Sequence, residues 1–326
     1  MVTTLAAATT GVRRSKQLMP DGVPKLLIID GNNLSWRSYY AHKELSYGGR
    51  CTGLLFGFFK ALISLHKSYP DYFRIVVWDR GYARRLEEST KAVEAGIIPM
   101  AYKANRRQAE AEMSAEDRKV HEEVHEQMDE MKEALELVRC LQVAVEGVEG
   151  DDLAYTYAKQ AQADGGEAVI ISSDQDFFQA LDERIAIYDA MKQEKWSKER
   201  FQVEFCFDPE LWVDVGALEG EEGPTKDGIY GVPGWGPVTA CKYVKEFGTV
   251  EKILEAVKSK KKLGKKEQTL LNHIPRAMLA KSLKRMDFIP NLPRPRVLKK
   301  YDSAELERYF LTFRFASLLK ETWRLV

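Results

Sequence analysis

Acidic residues recur just past apolar, strand-like runs in this chain, and carboxylates so placed can hold hard metal ions. Asp30 ends the run Leu26-Leu27-Ile28-Ile29, and Asp79 ends Ile75-Val76-Val77-Trp78. Asp174 and Asp176 follow Val169-Ile170-Ile171 after two serines. Glu149, Asp151 and Asp152 come within a few residues of Val143-Ala144-Val145. In an open α/β sheet, ligands bind at the carboxyl ends of the strands. Four strands ending this way crowd negative charge into one crevice, where mutual repulsion forces protons onto some of the carboxylates. A divalent cation removes that cost. The chemistry indicated is an all-oxygen site for Mg²⁺ or Mn²⁺, holding two ions. One Asp after one strand is more often a turn former or a helix N-cap; the repetition over four strands carries the reading.

Two further segments have chemical character. Gly231-Val232-Pro233-Gly234-Trp235-Gly236-Pro237 precedes a helix. Its glycines allow a tight turn and close approach to a ligand, with amides directed at the positive end of the helix, where phosphate is favoured. The pattern fits a helix-hairpin-helix, which grips a DNA backbone without reading bases. Tyr102-Lys103-Ala104-Asn105-Arg106-Arg107 offers cations for phosphates and a tyrosine face for stacking; the bland alternative is a solvated helix face.

The elements that must position these residues follow from periodicity. Strands are expected at 26–30, 74–79, 142–146 and 168–172, and helices at 53–68, 151–163 and 237–247. Val120, Val124, Met128, Met131, Leu135 and Val138 recur at spacings of three and four, giving one apolar stripe on a helix from about 115 to 139. The alternation argues for a parallel sheet covered by helices. Between Arg80 and about Arg118 the chain is highly charged, and after about Asp214 it turns glycine-rich, then basic over Lys258–Lys266. The segment Pro290–Pro295 reads as irregular. Residues 1–24 read as a flexible tail, because Arg13 and Arg14 follow the apolar Leu5–Ala8 stretch instead of preceding it as in a secretory signal.

Composition sets outer limits. Of 326 residues, 44% are hydrophobic and 30% charged, and the net charge is zero. A full core can be buried, and an acidic pocket offset by basic surfaces gives the same zero sum, so a nucleic-acid partner is not excluded. The cysteines at 51, 140, 206 and 241 form no CxxC pair, which points to reduced thiols. The longest apolar stretch, near Gly53–Leu65, contains Lys60 and is too short for a bilayer.

Six ordered segments together resemble the 5′-nuclease family: phage flap endonucleases and 5′→3′ exonucleases, and the 5′-nuclease domain of bacterial DNA polymerase I. They are Ile28–Asn33, Val77–Asp79, Tyr102–Arg106, Gly147–Asp152, Ser173–Phe177 and Asp227–Gly236, spanning roughly residues 25 to 250. The Gly234-Trp235-Gly236 and Asp227-Gly228 variants look most like the phage branch. The resemblance implies an α/β fold: a PIN-like parallel-sheet nuclease core over 25–214, with a helical arch insertion at about 80–118, and a C-terminal helix-hairpin-helix region over 215–326. It implies a 5′-flap endonuclease and 5′→3′ exonuclease using two Mg²⁺ or Mn²⁺ ions, with K⁺ at the hairpin loop. In this reading Asp30, Asp79, Glu149 and Asp151 lie nearest one ion. Asp174, Asp176 and Asp227 lie toward the other, and Asp152 supports both. Lys103 and Arg106 contact the scissile phosphate in the arch, and Tyr102, Arg107, Gly231, Gly234, Trp235 and Gly236 join them as DNA contacts. The expected partner is DNA with 5′ flaps or ends, alongside a replicative polymerase. The expected form is a monomer, away from membranes, in the cytoplasm of the cell or of a viral host.

Two features depart from the family pattern. Pro224 stands where a carboxylate is expected before the hairpin loop, with Glu221 and Glu222 just upstream as substitutes if the loop is rearranged. Arg84 and Arg85 lie nearer Asp79 than the arginine expected at the base of the arch. Rival readings stay open. His121-Glu122-Glu123-Val124-His125 fits the HExxH zinc-hydrolase signature, with Glu146 at the distance of a third ligand. Others are a structure-specific DNA-binding protein with weak cleavage and a PIN-type RNase, which gives the hairpin loop no purpose. Cleavage of a 5′-flap substrate in Mg²⁺ discriminates among them.

Overall fold

A computed structural model describes residues 3–4, 23–294 and 301–326. The sheet strands are β1 (Thr3–Thr4), β2 (Lys25–Asp30), β5 (Phe73–Val77), β6 (Leu141–Ala144), β7 (Glu167–Ile171), β8 (Ile185–Asp189) and β9 (Glu194–Trp196), with β3 (Ser46–Tyr47) and β4 (Arg50–Cys51) forming a separate small hairpin. The large sheet has the order β1-β6-β5-β2-β7-β8-β9 and is parallel except for the β8–β9 pair. β2 is central. The chain leaves it toward β5 and β6 on one side and later returns to β7 on the other, so the order reverses beside the carboxyl end of β2. That is the crevice where α/β sheets bind ligands. Of the tail reading over 1–24, Thr3–Thr4 pairs parallel with Val143 and Ala144, and most of the rest lies outside the described residues.

Burial explains the strand sequences. β2 reads as a continuous apolar run because both faces are covered. Leu27 and Ile29 face one core with α1 (Gly31–His42), α2 (Gly53–Ser68) and α5 (Ala115–Ala134). Leu26 and Ile28 face the other, with α6 (Gly150–Ala163) and the C-terminal helices. On α5, Val124, Met128 and Met131 are buried and Val120 half-buried, as the stripe predicts; the helix ends earlier than expected, and Leu135–Leu137 tighten into a 3₁₀ turn.

Between β5 and β6, α3 (Ala83–Glu94) and α4 (Ala104–Ala111) precede α5 and occupy the segment where an arch is expected. After β9 come α7 (Lys198–Phe205), α8 (Trp212–Glu219), the glycine-rich loop, α9 (Pro237–Phe247), α10 (Val250–Lys258), α11 (Lys265–Asn272) and α12 (Ile274–Lys284). Finally α13 (Ser303–Thr312) and α14 (Ala316–Leu319) return to the first core, where Phe310 packs edge-on against Phe59 at 4.9 Å between ring centres. Among the described residues no helix is long and apolar enough to cross a membrane.

Candidate metal centre

Most of the acidic side chains are delivered by a strand end or by the helix that follows it, and Glu221 and Asp227 by the loop between α8 and α9. Asp30 ends β2 and caps α1: its carboxylate accepts from the Asn33 amide at 2.9 Å and from the Ser172 hydroxyl at 3.0 Å. Gly31 comes next because any Cβ there would stand 2.6 Å from the Trp78 ring. Asp79, just past β5, accepts from the Gly150 amide at 2.6 Å, at the first turn of α6. Negative charge is favoured at that end of a helix. A Cβ on Gly150 would sit 3.0 Å from the Asp79 oxygen, so glycine leaves room for the contact. Asp174 caps the short 3₁₀ helix Gln175–Ala180 through the Asp176 amide at 2.8 Å.

The carboxylates disturb one another. Burial, then the neighbouring Asp79 and Asp174, push Asp30 up to about 7 from an ordinary 3.8, against the pull of its two hydrogen bonds. Burial, with Asp30, Asp174 and Asp79 beside it, holds Asp151 well above the ordinary carboxylate range. Asp174 keeps surface toward the crevice, but protein surrounds the rest of it and that desolvation raises it too. Burial brings Asp176 to about 6, with Lys284 opposing the rise. Among the described residues, no hydrogen bond or ion pair holds the Asp151 carboxylate.

Opposite this group lies a set of carboxylates that protein cations already engage. Glu149 meets Arg85 at 2.5 Å, Lys103 at 2.6 Å and the Tyr102 hydroxyl at 3.1 Å. Asp227 meets Arg106 at 2.6 Å and the same Tyr102 hydroxyl at 2.9 Å. That hydroxyl has one proton for two acceptors. Burial works against the Lys103 ammonium, yet Glu149 and Asp227 outweigh it and hold its pKa above the lysine norm. Lys284, at the end of α12, donates to Asp176 at 2.8 and 3.1 Å and to Glu221 at 2.7 Å. Burial works against this ammonium as well, and the two acids keep it strongly charged.

The donor set suits hard divalent cations. Asp30, Asp79, Asp151 and Asp174 present only oxygen and repel one another, and Asp30, Asp79 and Asp151 have no cation in contact to relieve them. Asp176, Glu221 and Asp227 present oxygen too, with lysine and arginine as present counter-ions.

Several sequence expectations change here. Pro224 does not occupy a ligand position. Glu221 pairs with Ile229 through backbone hydrogen bonds at 2.6 and 3.2 Å, so residues 222–226 loop out and Glu221 lines the crevice. Pro224 lines a separate cavity of about 360 Å³ beside α4. Asp152, expected to support both ions, has both oxygens on Arg85, at 2.7 and 2.9 Å, and one of them also accepts from the Asp287 amide at 2.8 Å. Tyr102 is 3% exposed, so its ring does not offer the stacking face expected of it, and Trp235, expected as a DNA contact, is 4% exposed. Tyr102 turns inward to the carboxylates, and Trp235 packs on Tyr243 with its indole N–H donating to the Lys266 carbonyl at 3.2 Å. Arg107 donates to the Tyr82 hydroxyl at 3.0 Å, outside the carboxylate group. The ring centres of His121 and His125 lie 4.5 Å apart but both rings pack against Trp36, while Glu146 bonds Arg80, so the zinc reading loses its third ligand.

In the glycine-rich loop, Gly231 has the Gly220 backbone where a Cβ would be, at 2.4 Å, and Gly234 adopts φ 75°. Lys266 donates to the Gly234 carbonyl. Sequence reasoning named Arg85 only as displaced, and it missed Lys284 and Ser172. Nothing in the spacing marks Lys284, which reaches the site from the far end of the C-terminal region.

Comparison with known proteins fits this arrangement. Residues 25–206 match the 5′-3′ exonuclease N-terminal resolvase-like domain, and residues 207–304 match the 5′-3′ exonuclease C-terminal SAM fold. Thermostable DNA polymerase I of Thermus thermophilus is 30% identical over 235 residues, which is 71% of this chain and 25% of that protein. DNA polymerase I of Rhizobium leguminosarum is 29% identical over 263 residues, 80% of this chain and 24% of that protein. The chain thus spans about a quarter of the length of these relatives. Among solved structures, zinc-bound T5 5′-exonuclease superposes with a TM-score of 0.66 at 24% identity, covering 80% of this chain and 89% of that one. The catalytic core of Rad2 with DNA substrate gives 0.55 at 14% identity, covering 93% and 92%. At these identities the structures speak for the fold.

Proposed function

The chain belongs to the 5′-3′ exonuclease family, and from that premise we propose that it is a metal-dependent, structure-specific 5′ nuclease that hydrolyses DNA phosphodiesters. One observation carries the reading: carboxylates from two strand ends and from the loop before the hairpin line one crevice at the switch point of the sheet, and Asp30 and Asp79 at two further strand ends lie close enough to disturb them.

Asp30, Asp79, Asp151 and Asp174 would hold one divalent ion, Mg²⁺ or Mn²⁺, and Asp176, Glu221 and Asp227 a second. Ions bound there supply positive charge for the attacking and leaving oxygens of an in-line displacement. The protein's own groups do the rest. Glu149 and Asp152, fixed by buried Arg85, set the spacing between the two halves. Lys103 and Arg106 bring positive charge to the rim, where it can neutralise a phosphate as charge builds on its oxygens. The hydrolysis adds OH to phosphorus and returns the proton to the departing 3′-oxygen. No side chain has to form a covalent intermediate.

The organisation proposed is a nuclease core over 25–214 with its arch at about 80–118, followed by a duplex-gripping region over 215–326. DNA bearing 5′ flaps or ends is the substrate proposed, with Gly231, Gly234 and Gly236 near its backbone. A K⁺ at the hairpin loop would have to displace the Lys266 ammonium from the Gly234 carbonyl. A companion polymerase, a monomeric state and a cytoplasmic location belong to the same proposal. The reading that Pro224 weakens cleavage loses its motive, because Glu221 lines the crevice.

The test is a cleavage assay on labelled flap, nicked and single-stranded DNA, with Mg²⁺ and with chelator. Mg²⁺-dependent release from the 5′ side of the flap is expected. Cleavage unaffected by chelator, or binding without cleavage, would overturn the reading.

A further inference from the structure

We propose that Lys284 is a built-in counter-ion that holds the Asp176–Glu221 half of the centre until a second divalent ion displaces it, so that the two ions load in order and with unequal affinity. The inference rests on the metal reading above and concerns this chain's own lysine.

Three observations carry it. First, the Lys284 ammonium spans both acids, at 2.7 to 3.1 Å, whereas Asp30, Asp79 and Asp151 have no lysine or arginine in contact. One half of the centre is therefore neutralised from within and the other is left repelling itself. Second, the lysine is placed deliberately by its backbone. Gln179, on the same short 3₁₀ helix as Asp176, donates to the Lys284 carbonyl at 3.1 Å and accepts from the Met286 amide at 2.9 Å. Arg85 donates to the Leu283 carbonyl at 2.8 Å and to the Arg285 carbonyl at 3.1 Å. Third, its stem has a path. Its Cγ, Cδ and Cε run along Gly216, where a Cβ would lie 3.4 to 3.5 Å away, so the stem lies against a short stretch of bare backbone on its way to the acids.

The physical consequence is competition. A cation arriving between Asp176 and Glu221 meets carboxylates that already have a partner, and must either expel the ammonium or bind beside it. An opposite charge in contact changes the affinity of a carboxylate for another cation by roughly tenfold or more. The half formed by Asp30, Asp79 and Asp151 has no such competitor in contact and fills first.

Magnesium titration by calorimetry, without DNA, tests this on the full chain. Wild type should take one ion tightly and a second at least about tenfold more weakly. In Lys284→Met the two affinities should converge, and Lys284→Arg, which keeps the charge, should retain the gap. Melting curves establish that each variant is folded. A second measurement needs no variant: amine acylation of the wild-type protein, read by mass spectrometry. Labelling of Lys284 should rise severalfold when saturating Mg²⁺ drives the ammonium into solvent. If Mg²⁺ binds but the methionine variant leaves the affinity gap unchanged, or labelling does not rise, Lys284 is not the counter-ion and the proposal fails alone. If no form of the protein binds Mg²⁺, the metal reading fails and takes the proposal with it.

Discussion

Asp174 and Asp176 show how much a single side chain can decide. Their strand-end placement was legible because acids within five residues of a buried run have few places to go. Replacing either with Asn should lower turnover by about a hundredfold or more while leaving DNA affinity near normal, since loss of a ligand removes several kcal/mol of metal assistance. Near-normal turnover at saturating Mg²⁺ would reject the assignment. Glu221 was not legible in the same way, because the gapless pattern pointed at Pro224 and only backbone pairing with Ile229 shows that the loop bulges out. Glu221→Gln should therefore raise the Mg²⁺ needed for half-maximal cleavage, and Pro224→Asp should leave the curve in place. The reverse result would restore the gapless reading. Asp30 and Asp176 also set a pH dependence. Their folded-state values, about 7 and about 6, lie above the ordinary 3.8, so the metal-free fold binds protons that the unfolded chain has released. The sign follows: stability in chelator should fall as pH rises from about 4 to 7. Thermal melts across that range check it, and a rise would contradict it.

At the level of elements, β2, β5, β6, β7, α2, α5 and α9 followed from periodicity because each buries one face or both, whereas β8 and β9 did not. What periodicity could not show is which way the start of α4 turns. Lys103 precedes α4 with φ 56°, a left-handed conformation that costs a lysine energy. Its amide bonds the Asp227 carbonyl at 2.8 Å, and its ammonium reaches Glu149. The sequence showed a basic helix face; the backbone turn aims part of it inward. Lys103→Ala and Arg106→Ala should consequently lower the single-turnover cleavage rate more than they lower duplex affinity. If affinity falls and the rate does not, both are ordinary backbone contacts.

For the molecule as a whole, the zero net charge conceals a separation. Acids gather in the crevice, while Lys258, Lys261, Lys262 and Lys265 are exposed on the C-terminal region. Duplex binding should weaken steeply and log-linearly with salt, in proportion to the phosphates engaged. A flat dependence measured by fluorescence anisotropy would remove the backbone-contact picture. Charge summed over the sequence cannot reveal such a separation, whereas the order of the sheet makes it inevitable by collecting strand ends at one edge.

The strap formed by residues 283–287 has a consequence for synthesis. Arg85 and Asp152 are among the earlier residues of the site to leave the ribosome, yet their partners at Leu283, Arg285 and Asp287 emerge more than a hundred residues later. Contacts of such sequence separation form late in folding. A nascent chain with only the sheet made would expose a half-built, self-repelling crevice lacking Glu221, Asp227 and Lys284. Nuclease competence should thus appear abruptly, once residues 283–287 have emerged, and nascent chains stalled before Asp287 should be inert toward the nucleic acid that surrounds them.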